Sequence, residues 1–597
     1  MPDAKPIENH AIIGDLHTVA LVALDGTIDF LCFPCFDSPS VFAALLDPER
    51  GGSFRIAPEL NGARHRQLYL PDSNILLTRF LSSEGVAEIS DFMPVEEVEN
   101  AHNLIRRVKT VRGEIRFRVR CAPRFDYARA THRCERADDG VTFISEGLSL
   151  RLRSSVPIEI ENSDAVASFV LRADESASFV LEDPQAELGC DPHEYVSRAF
   201  KRTLNFWRDW IGHCDYHGRW REIVHRSALT LKLLVSKPHG SLVAAPTFGL
   251  PEEIGGSRNW DYRYTWIRDA SFTIYALMRL GYTEEAGAFN RWIEERCCEL
   301  NPDGSLQIMY GLDGRHDLRE ETLDHLAGYR GSRPVRIGNG AFDQLQLDIH
   351  GELMDSVYLY NKWGKPISHD FWQNLVRLVD WVVAHWRERD AGIWETRKGR
   401  QEFLYSRLMC WVALDRAIRL AHKRSLPGPL ARWSEERDAI YTDIFENFWD
   451  AEQETFVQYR GSKTVDAACL LMPLVKFIAP TDPRWCSTLA AIDRELVEDS
   501  LVYRYRRDDG AHGGSNDGTF CMCTFWFAEC LAEAGDVKRA RFVFEKMLGY
   551  ANHVGLFGEE LGPSGEHLGN FPQAFTHLGL ISAAFSIDRC LGASSRR

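Results

Sequence analysis

From the N-terminus to about residue 190, apolar and polar side chains alternate with a period of two. ALVALDGTIDFLCF is an apolar run broken by Asp25-Gly26, a dipeptide of tight hairpin turns. NLIRRVKTVRGEIRFRVRCAP, GVTFISEGLSLRLRSS and ASFVLRADESASFVLED alternate in the same way, with turn residues between them. Such spacing sends every second side chain to one face of a strand and predicts a two-sheet antiparallel domain. Around residues 190–205 the period lengthens. From SRAFKRTLNFWRDW onward, apolar residues recur at three- and four-residue spacing, the mark of helices with one buried face. Amphipathic segments fall near residues 221–236, 269–281, 284–299, 340–361, 368–388 and 404–422. Others fall near 428–449, 466–477, 483–497, 518–534, 536–550 and 573–590. Many follow one another after short turns, which predicts six helical hairpins closed in a ring with their loops gathered at one end. No fixed-period motif accompanies the pairs, which argues against an open solenoid. The predicted protein is mainly α: an antiparallel β-sandwich domain over residues 1–195, then an (α/α)6-barrel catalytic domain over residues 196–597.

Composition narrows the function. The 597 residues are 45% hydrophobic and 26% charged, which excludes disordered, collagen-like and low-complexity architectures. A net charge of −16 without basic clusters is wrong for nucleic acid or an anionic membrane and leaves small neutral or cationic substrates. No apolar run reaches the ~18 residues of a membrane span. MPDAKPIENHAIIGDLHT lacks the basic stretch and apolar core of a secretory signal, so the expected compartment is the cytoplasm. Fifteen cysteines are scattered without regular spacing. Cys32 and Cys35 form a CxxC, but no second pair stands at zinc-site distance, and both are read as buried thiols. His350, His512, His553, His567 and His577 are isolated, no HExxH occurs, and no metal or cofactor is expected.

Three stretches flanking helices carry too many Trp, Arg, Asp and Glu to be plain loops. LPEEIGGSRNWDYRYTWIRDAS contains Glu252, Glu253, Arg258, Trp260, Asp261, Arg263, Trp266, Arg268 and Asp269. Indole faces stack on sugar C–H surfaces, and Arg–Asp pairs hydrogen-bond hydroxyls with fixed geometry. The same residues would also serve as a buried ion network at a helix start. In DAGIWETRKGRQEFLYSRLMCWVALDRA, Glu395 follows Trp394. A carboxyl beside a large indole is partly desolvated, which raises its pKa and suits proton donation; a first-turn Glu favoured by the helix dipole is the plainer reading. GLFGEELGPSGEHLGNFPQAFTHLGL sets Glu559 and Glu560 in a glycine-rich loop, where adjacent carboxylates ordinarily face solvent. If folding brings Glu395 and one of this pair together, they form the carboxyl pair of glycosidic bond hydrolysis.

These stretches, in this order behind a β domain, resemble bacterial and archaeal members of glycoside hydrolase family 15, the glucoamylase and trehalase family. The blocks GDLHTVALVALDGTIDFLCFPCFDSPSVFAALLD, GGSRNWDYRYTWIRDAS, GSRPVRIGNGAFDQLQLDIHGE, GIWETR and GNFPQAFTHLGLI carry the resemblance, which covers nearly the whole chain. It implies an (α/α)6 barrel and an inverting, exo-acting hydrolysis that releases β-glucose from a non-reducing end. Glu395 falls on the family's general acid and Glu559 on its general base, with Glu560 second choice for the base. Arg268 and Asp269 match the pair that holds the terminal glucose. Tyr264, Trp266, Trp260, Asp261 and Trp394 are expected around the same pocket, with Asn339 from a barrel-mouth loop and Gln346 from the helix after it. An inverting pair leaves room for water, with Glu395 protonated and Glu559 ionised. The expected substrate is a small α-glucoside, first trehalose, then maltooligosaccharide or isomaltose. Missing secretion and starch-binding segments and the trehalase-like N-terminal part favour that order. A disaccharide phosphorylase and a non-catalytic glycan-binding protein are the rival classes. Neither nucleic acid nor membrane is an expected partner, and a homo-oligomer is left open. The Asp15-Leu16-His17 loop is the β domain's candidate contact with the active site, while Asp517, Cys521 and Cys523 receive no role beyond burial.

Overall fold

The computed structural model describes residues 4–95, 102–185, 192–301, 304–397, 399–506 and 518–594. Asp517 and His512 lie outside them. The first part consists of two antiparallel eight-stranded sheets. In spatial order one sheet runs His10–Gly14, Val19–Ala23, Ile28–Cys32, Ser53–Pro58, Glu114–Ala122, Asp164–Arg172 and Glu159–Glu161, with Ser40–Phe42 beside Ile28–Cys32. The other runs His132–Ala137, Gly140–Ser145, Ser149–Ser154, Ser176–Glu182, Leu104–Arg112, Val86–Phe92, Leu76–Leu81 and Arg64–Tyr69. Strict alternation decides which face is dry. In Glu114–Ala122, Ile115, Phe117, Val119 and Cys121 are buried while the residues between them are exposed. Phe54 and Phe169 of the first sheet meet Phe179 of the second inside a shared apolar core.

A pair of opposite charges is buried there. Arg106 pairs with Asp91, Nε to Oδ1 at 2.8 Å, both side chains fully buried, and also donates to the carbonyls of Phe54 and Gly26 on the opposite sheet. Removing one partner of such a pair strands the other charge. Arg106→Ala should therefore cost about 3–5 kcal/mol in a urea titration, and Arg106→Met combined with Asp91→Leu should recover most of it.

A single turn, α1 (Phe125–Ala128), lies within the β domain between the strands Glu114–Ala122 and His132–Ala137, and α2 (Pro192–Ile211) leads into the helical part. There follow α3 (Arg221–Leu234), α4 (Asp269–Leu280), α5 (Thr283–Cys298), α6 (Ile349–Trp363), α7 (His369–His385), α8 (Leu404–Arg424) and α9 (Leu430–Asn447). The last are α10 (Leu471–Leu474), α11 (Pro483–Leu496), α12 (Cys521–Glu533), α13 (Val537–Leu548) and α14 (Ala574–Ser594). Helix α4 packs on α6 and α6 on α8; α8 and α12 share the 3-10 turn Ala467–Leu470; α12 packs on α14, and α14 returns to α4. Helices α3, α5, α7, α9, α11 and α13 lean on the outside of that succession. Burial follows position. Every residue of Cys521–Ala532 is buried, Cys521 and Cys523 included, whereas α7 buries one stripe of Phe371, Trp372, Leu375, Leu378 and Val379.

Two segments depart from their periodicity. Residues 340–348 are loop, and the helix expected from 340 begins at Ile349. Residues 466–477 hold the 3-10 turn and one helical turn, since Pro473 has no N–H to continue the ladder. No described helix is long and apolar enough to cross a membrane.

Candidate functional site

Loops leading into α4, α8, α12 and α14 enclose a cavity of about 340 Å3. Arg268 and Asp269 reach it from the start of α4, Phe520 from the residue before α12, and Gln573 and Phe575 from the start of α14. Glu395 sits in a tight turn closed by Glu395 N to Gly392 O (3.1 Å) and Thr396 N to Ala391 O (3.1 Å). Its φ of 54° is left-handed, a strained conformation that persists only where neighbours impose it. Helix α8 starts at Leu404, so a first-turn role for Glu395 is excluded. Trp266 Nε1 donates to Glu395 Oε1 at 2.7 Å and Arg268 Nη1 to the same oxygen at 3.3 Å. Arg268 Nη1 also bonds the carbonyl of Ile393 at 2.8 Å, which ties the turn to α4. Trp394 Nε1 reaches both oxygens of Asp466 at 3.0 Å, setting the indole edge-on to Phe520.

Glu559 lines the same cavity and is 1% exposed. Tyr262 donates its hydroxyl to Oε1 at 2.7 Å and Asn570 its backbone N–H to Oε2 at 3.3 Å. Gly569, at φ +72°, makes this possible: a Cβ there would stand 2.2 Å from Glu559 Oε2 and 2.7 Å from its Cβ. Burial, and then the nearby Glu252 carboxylate, push Glu559 up to about 8, against Arg504 and the two hydrogen bonds that favour its ionised form. The expectation that the environment would favour an ionised Glu559 thus meets an opposing force, burial. Burial likewise pushes Asp269 up to about 6, while Arg268 pulls it down.

The expected residues divide at the cavity wall. Glu395, Glu559, Arg268, Asp269, Trp266 and Trp260 line it, as do Trp394 and Asn339. Glu560, Asp261, Tyr264 and Gln346 do not. Glu560 begins the two-residue strand Glu560–Leu561 paired with Thr519–Phe520, and alternation sends it away from Glu559 to Arg504 (2.6 Å) and Gly518 N (2.9 Å). Asp261 is held by Arg263 Nε (2.9 Å) and Nη2 (2.7 Å) and accepts Gly338 N (3.1 Å), so it shapes the loop carrying Asn339 from behind. Tyr264 donates to Asp261 Oδ2 at 3.3 Å. Gln346 is buried against Gln344, whose Nε2 contacts the Glu395 carbonyl at 3.5 Å. The Asp15-Leu16-His17 loop is absent from the wall. His567, His553 and His577 bond Tyr550 O, Gln67 and Ser227, each as a structural side chain.

Tyr262, Arg504 and Arg397 are wall residues that sequence reasoning did not name, while Glu252 and Arg258, named only as members of the crowded first stretch, line the wall too. One signal was present for Tyr262: along the strand Asn259–Asp261, Trp260 and Tyr262 alternate with the buried Asp261 and Arg263. Arg504 had none. It bonds Glu252 Oε2 at 3.0 Å and Glu560 at 2.6 Å, while Trp260 Nε1 donates to Glu252 Oε1 at 3.0 Å. If Glu559 acts ionised, its pKa sets the acidic limb of kcat/KM. Glu252→Gln removes a like charge, so that limb should move to lower pH in a kcat/KM profile.

Beneath the cavity floor lie more carboxyls. Burial pushes Glu352 up to about 8, Asp348 to about 7 and Asp390 to about 6. Each binds its proton more tightly folded than unfolded. Their contribution to stability is full below about pH 4 and is lost as pH rises through 6 to 8. Urea midpoints should fall across that window, and Glu352→Gln should flatten the fall.

Residues 218–585 match the family described as glycosyl hydrolases family 15, and residues 2–187 match a trehalase-like N-terminal domain. The chain is 36% identical over 592 residues to a trehalase of Thermoplasma volcanium, covering 98% of this chain and 94% of that one. It is 38% identical over 617 residues to a trehalase of Mycobacterium tuberculosis, covering 98% and 90%. Its fold is similar to that of a bacterial glucoamylase solved with acarbose, with a TM-score of 0.74 at 13% identity over 98% of this chain and 94% of that one.

Proposed function

The chain belongs to glycosyl hydrolases family 15, an O-glycosyl hydrolase, and from that premise we propose that it hydrolyses trehalose with inversion at one anomeric carbon. The observation that carries this reading is that Glu395 and Glu559 line one cavity. Glu395 protonates the glycosidic oxygen. Glu559, in its ionised form, takes a proton from the water that attacks the anomeric carbon from the opposite face, so turnover rises with pH toward about 8. Arg268 and Asp269 hold the hydroxyls of the ring being cleaved, and Trp260, with the Arg397 guanidinium over its ring at 4.2 Å, walls the space for the leaving glucose. Tyr262 orients Glu559, and Trp266 together with Arg268 orients Glu395. A cavity of about 340 Å3 lies at the small end of the roughly 300–1,000 Å3 range of ligand pockets, and suits a disaccharide. We read the succession α4, α6, α8, Ala467–Leu474, α12 and α14 with its outer partners as an (α/α)6 barrel over residues 196–597, behind a β-sandwich over residues 1–195. The described cysteines are all free thiols, which fits a cytoplasmic setting.

The test is a proton NMR time course on trehalose, maltose and isomaltose. Trehalose should be cleaved fastest, with α- and β-glucose appearing in equal initial amounts, because only the attacked ring inverts. α-Glucose alone would sink inversion. Faster cleavage of maltose or isomaltose would replace trehalose by that linkage, and turnover only with phosphate would indicate a phosphorylase.

A further inference from the structure

The loop Asp15–Thr18 carries side chains that the hydrolysis does not use. Asp15 is 2% exposed and His102 6%, and His102 Nδ1 lies 2.9 Å from Asp15 Oδ2. His17 Nδ1 lies 3.2 Å from the Asp15 carbonyl and 4.0 Å from its Oδ1. The two imidazoles meet edge to face with centroids 4.6 Å apart, and one donor atom from each of the three residues falls within a 4.8 Å circle. We propose that Asp15, His17 and His102 form a binding site for a zinc-like divalent cation, separate from the catalytic cavity, with its fourth position open to water.

The geometry fits the ion. Zinc takes imidazole nitrogen and carboxylate oxygen at about 2.0–2.2 Å, so tetrahedral ligand atoms stand roughly 3.4 Å apart. One ligand atom from each residue stands within 4.8 Å of the others, with His102 Nδ1 2.9 Å from Asp15 Oδ2, so side-chain shifts of about an ångström bring the set to that edge. Two imidazoles and one carboxylate select zinc or cobalt over magnesium or calcium, which prefer oxygen alone. A His–Asp hydrogen bond accounts for His102 by itself, yet it leaves unexplained why a second imidazole is set against the first. The backbone holds them there. Leu16 is left-handed at φ 70°, and Asp15 Oδ1 accepts the N–H groups of His17 and Thr18 at 3.0 Å each. His17 keeps 20% of its side chain exposed, which leaves an entry path.

The CFPC segment packs against this loop. Phe36 N donates to His17 O at 2.9 Å, so the loop carrying the half-buried Cys35 lies against the histidine. At the other end of the segment, Arg263 Nη1 donates to Cys32 Sγ at 3.3 Å, and Leu16 O accepts Lys237 N at 2.8 Å. A cation here would stiffen the turn through which Leu16 O bonds Lys237 N of the helical part.

The experiment strips the whole protein with a chelator and titrates it with Zn2+ alone. Stoichiometry is read by atomic emission after gel filtration, and thermal midpoints are recorded with and without the ion. One Zn2+ per chain is expected, with a midpoint that rises on binding. His17→Gln and His102→Gln should each weaken binding tenfold or more and abolish the rise. His17 is partly exposed, so its variant keeps the fold when the buried His102 variant does not. Absence of Zn2+ binding in the wild type, or variants that bind it equally well, would overturn the site. Either result stands apart from the choice of sugar substrate.

Discussion

Glu395→Gln should lower kcat on trehalose about a thousandfold while leaving KM within a few-fold. Proton donation by a positioned acid contributes roughly 10²–10⁴ to the rate, and glutamine keeps the acceptor that Trp266 Nε1 and Arg268 occupy. Because the left-handed turn and the Ile393 carbonyl bond are untouched, the cavity keeps its shape. A leaving group that needs no protonation separates catalysis from collapse. On α-glucosyl fluoride the variant should approach the wild-type rate. Full activity on trehalose would remove Glu395 from the mechanism, and equal loss on both substrates would make it a structural residue.

Glu559→Ala should be at least as damaging, and on every substrate, because no leaving group replaces the activation of water. A loss of roughly 10²–10⁴ is expected on trehalose and on the fluoride alike. Azide, small enough for the space vacated by the carboxyl, should restore turnover of α-glucosyl fluoride and give β-glucosyl azide, identified by its NMR coupling. An α-azide would mean that the attacking group enters from the other face. Tyr262→Phe offers a milder comparison: it removes one hydrogen bond that favours ionised Glu559, so activity survives with the acidic limb of kcat/KM displaced upward.

Much of this arrangement is written locally, and the remainder is not. Trp394 beside Glu395 marks one carboxyl, and the crowded stretch from Glu252 to Asp269 marks the wall that faces it. The adjacent Glu559 and Glu560 cannot be told apart by composition. Their roles part only when Phe520 pairs with Glu560, which fixes the phase of the strand and turns its neighbour to the cavity. Arg504 sits in an unremarkable run, LVYRYRR, and becomes a wall residue because folding stacks three carboxylates' worth of charge around it. Asp261 and Tyr264 look like pocket residues from their neighbours, yet the requirement to neutralise a buried Arg263 draws both behind the wall. The helix expected over 466–477 fails at Pro473 for a reason the sequence does contain, a residue that cannot donate.

The missing side chain at Gly569 has a bearing on kinship. A relative could keep both glutamates and still be inert, for any Cβ at that place would collide with the carboxyl it should cradle. Pseudoenzymes descended from this scaffold are then recognisable by a glycine they have lost rather than by an acid they retain. A census of paralogues for hydrolytic competence has to read the GNF triplet alongside the two acids.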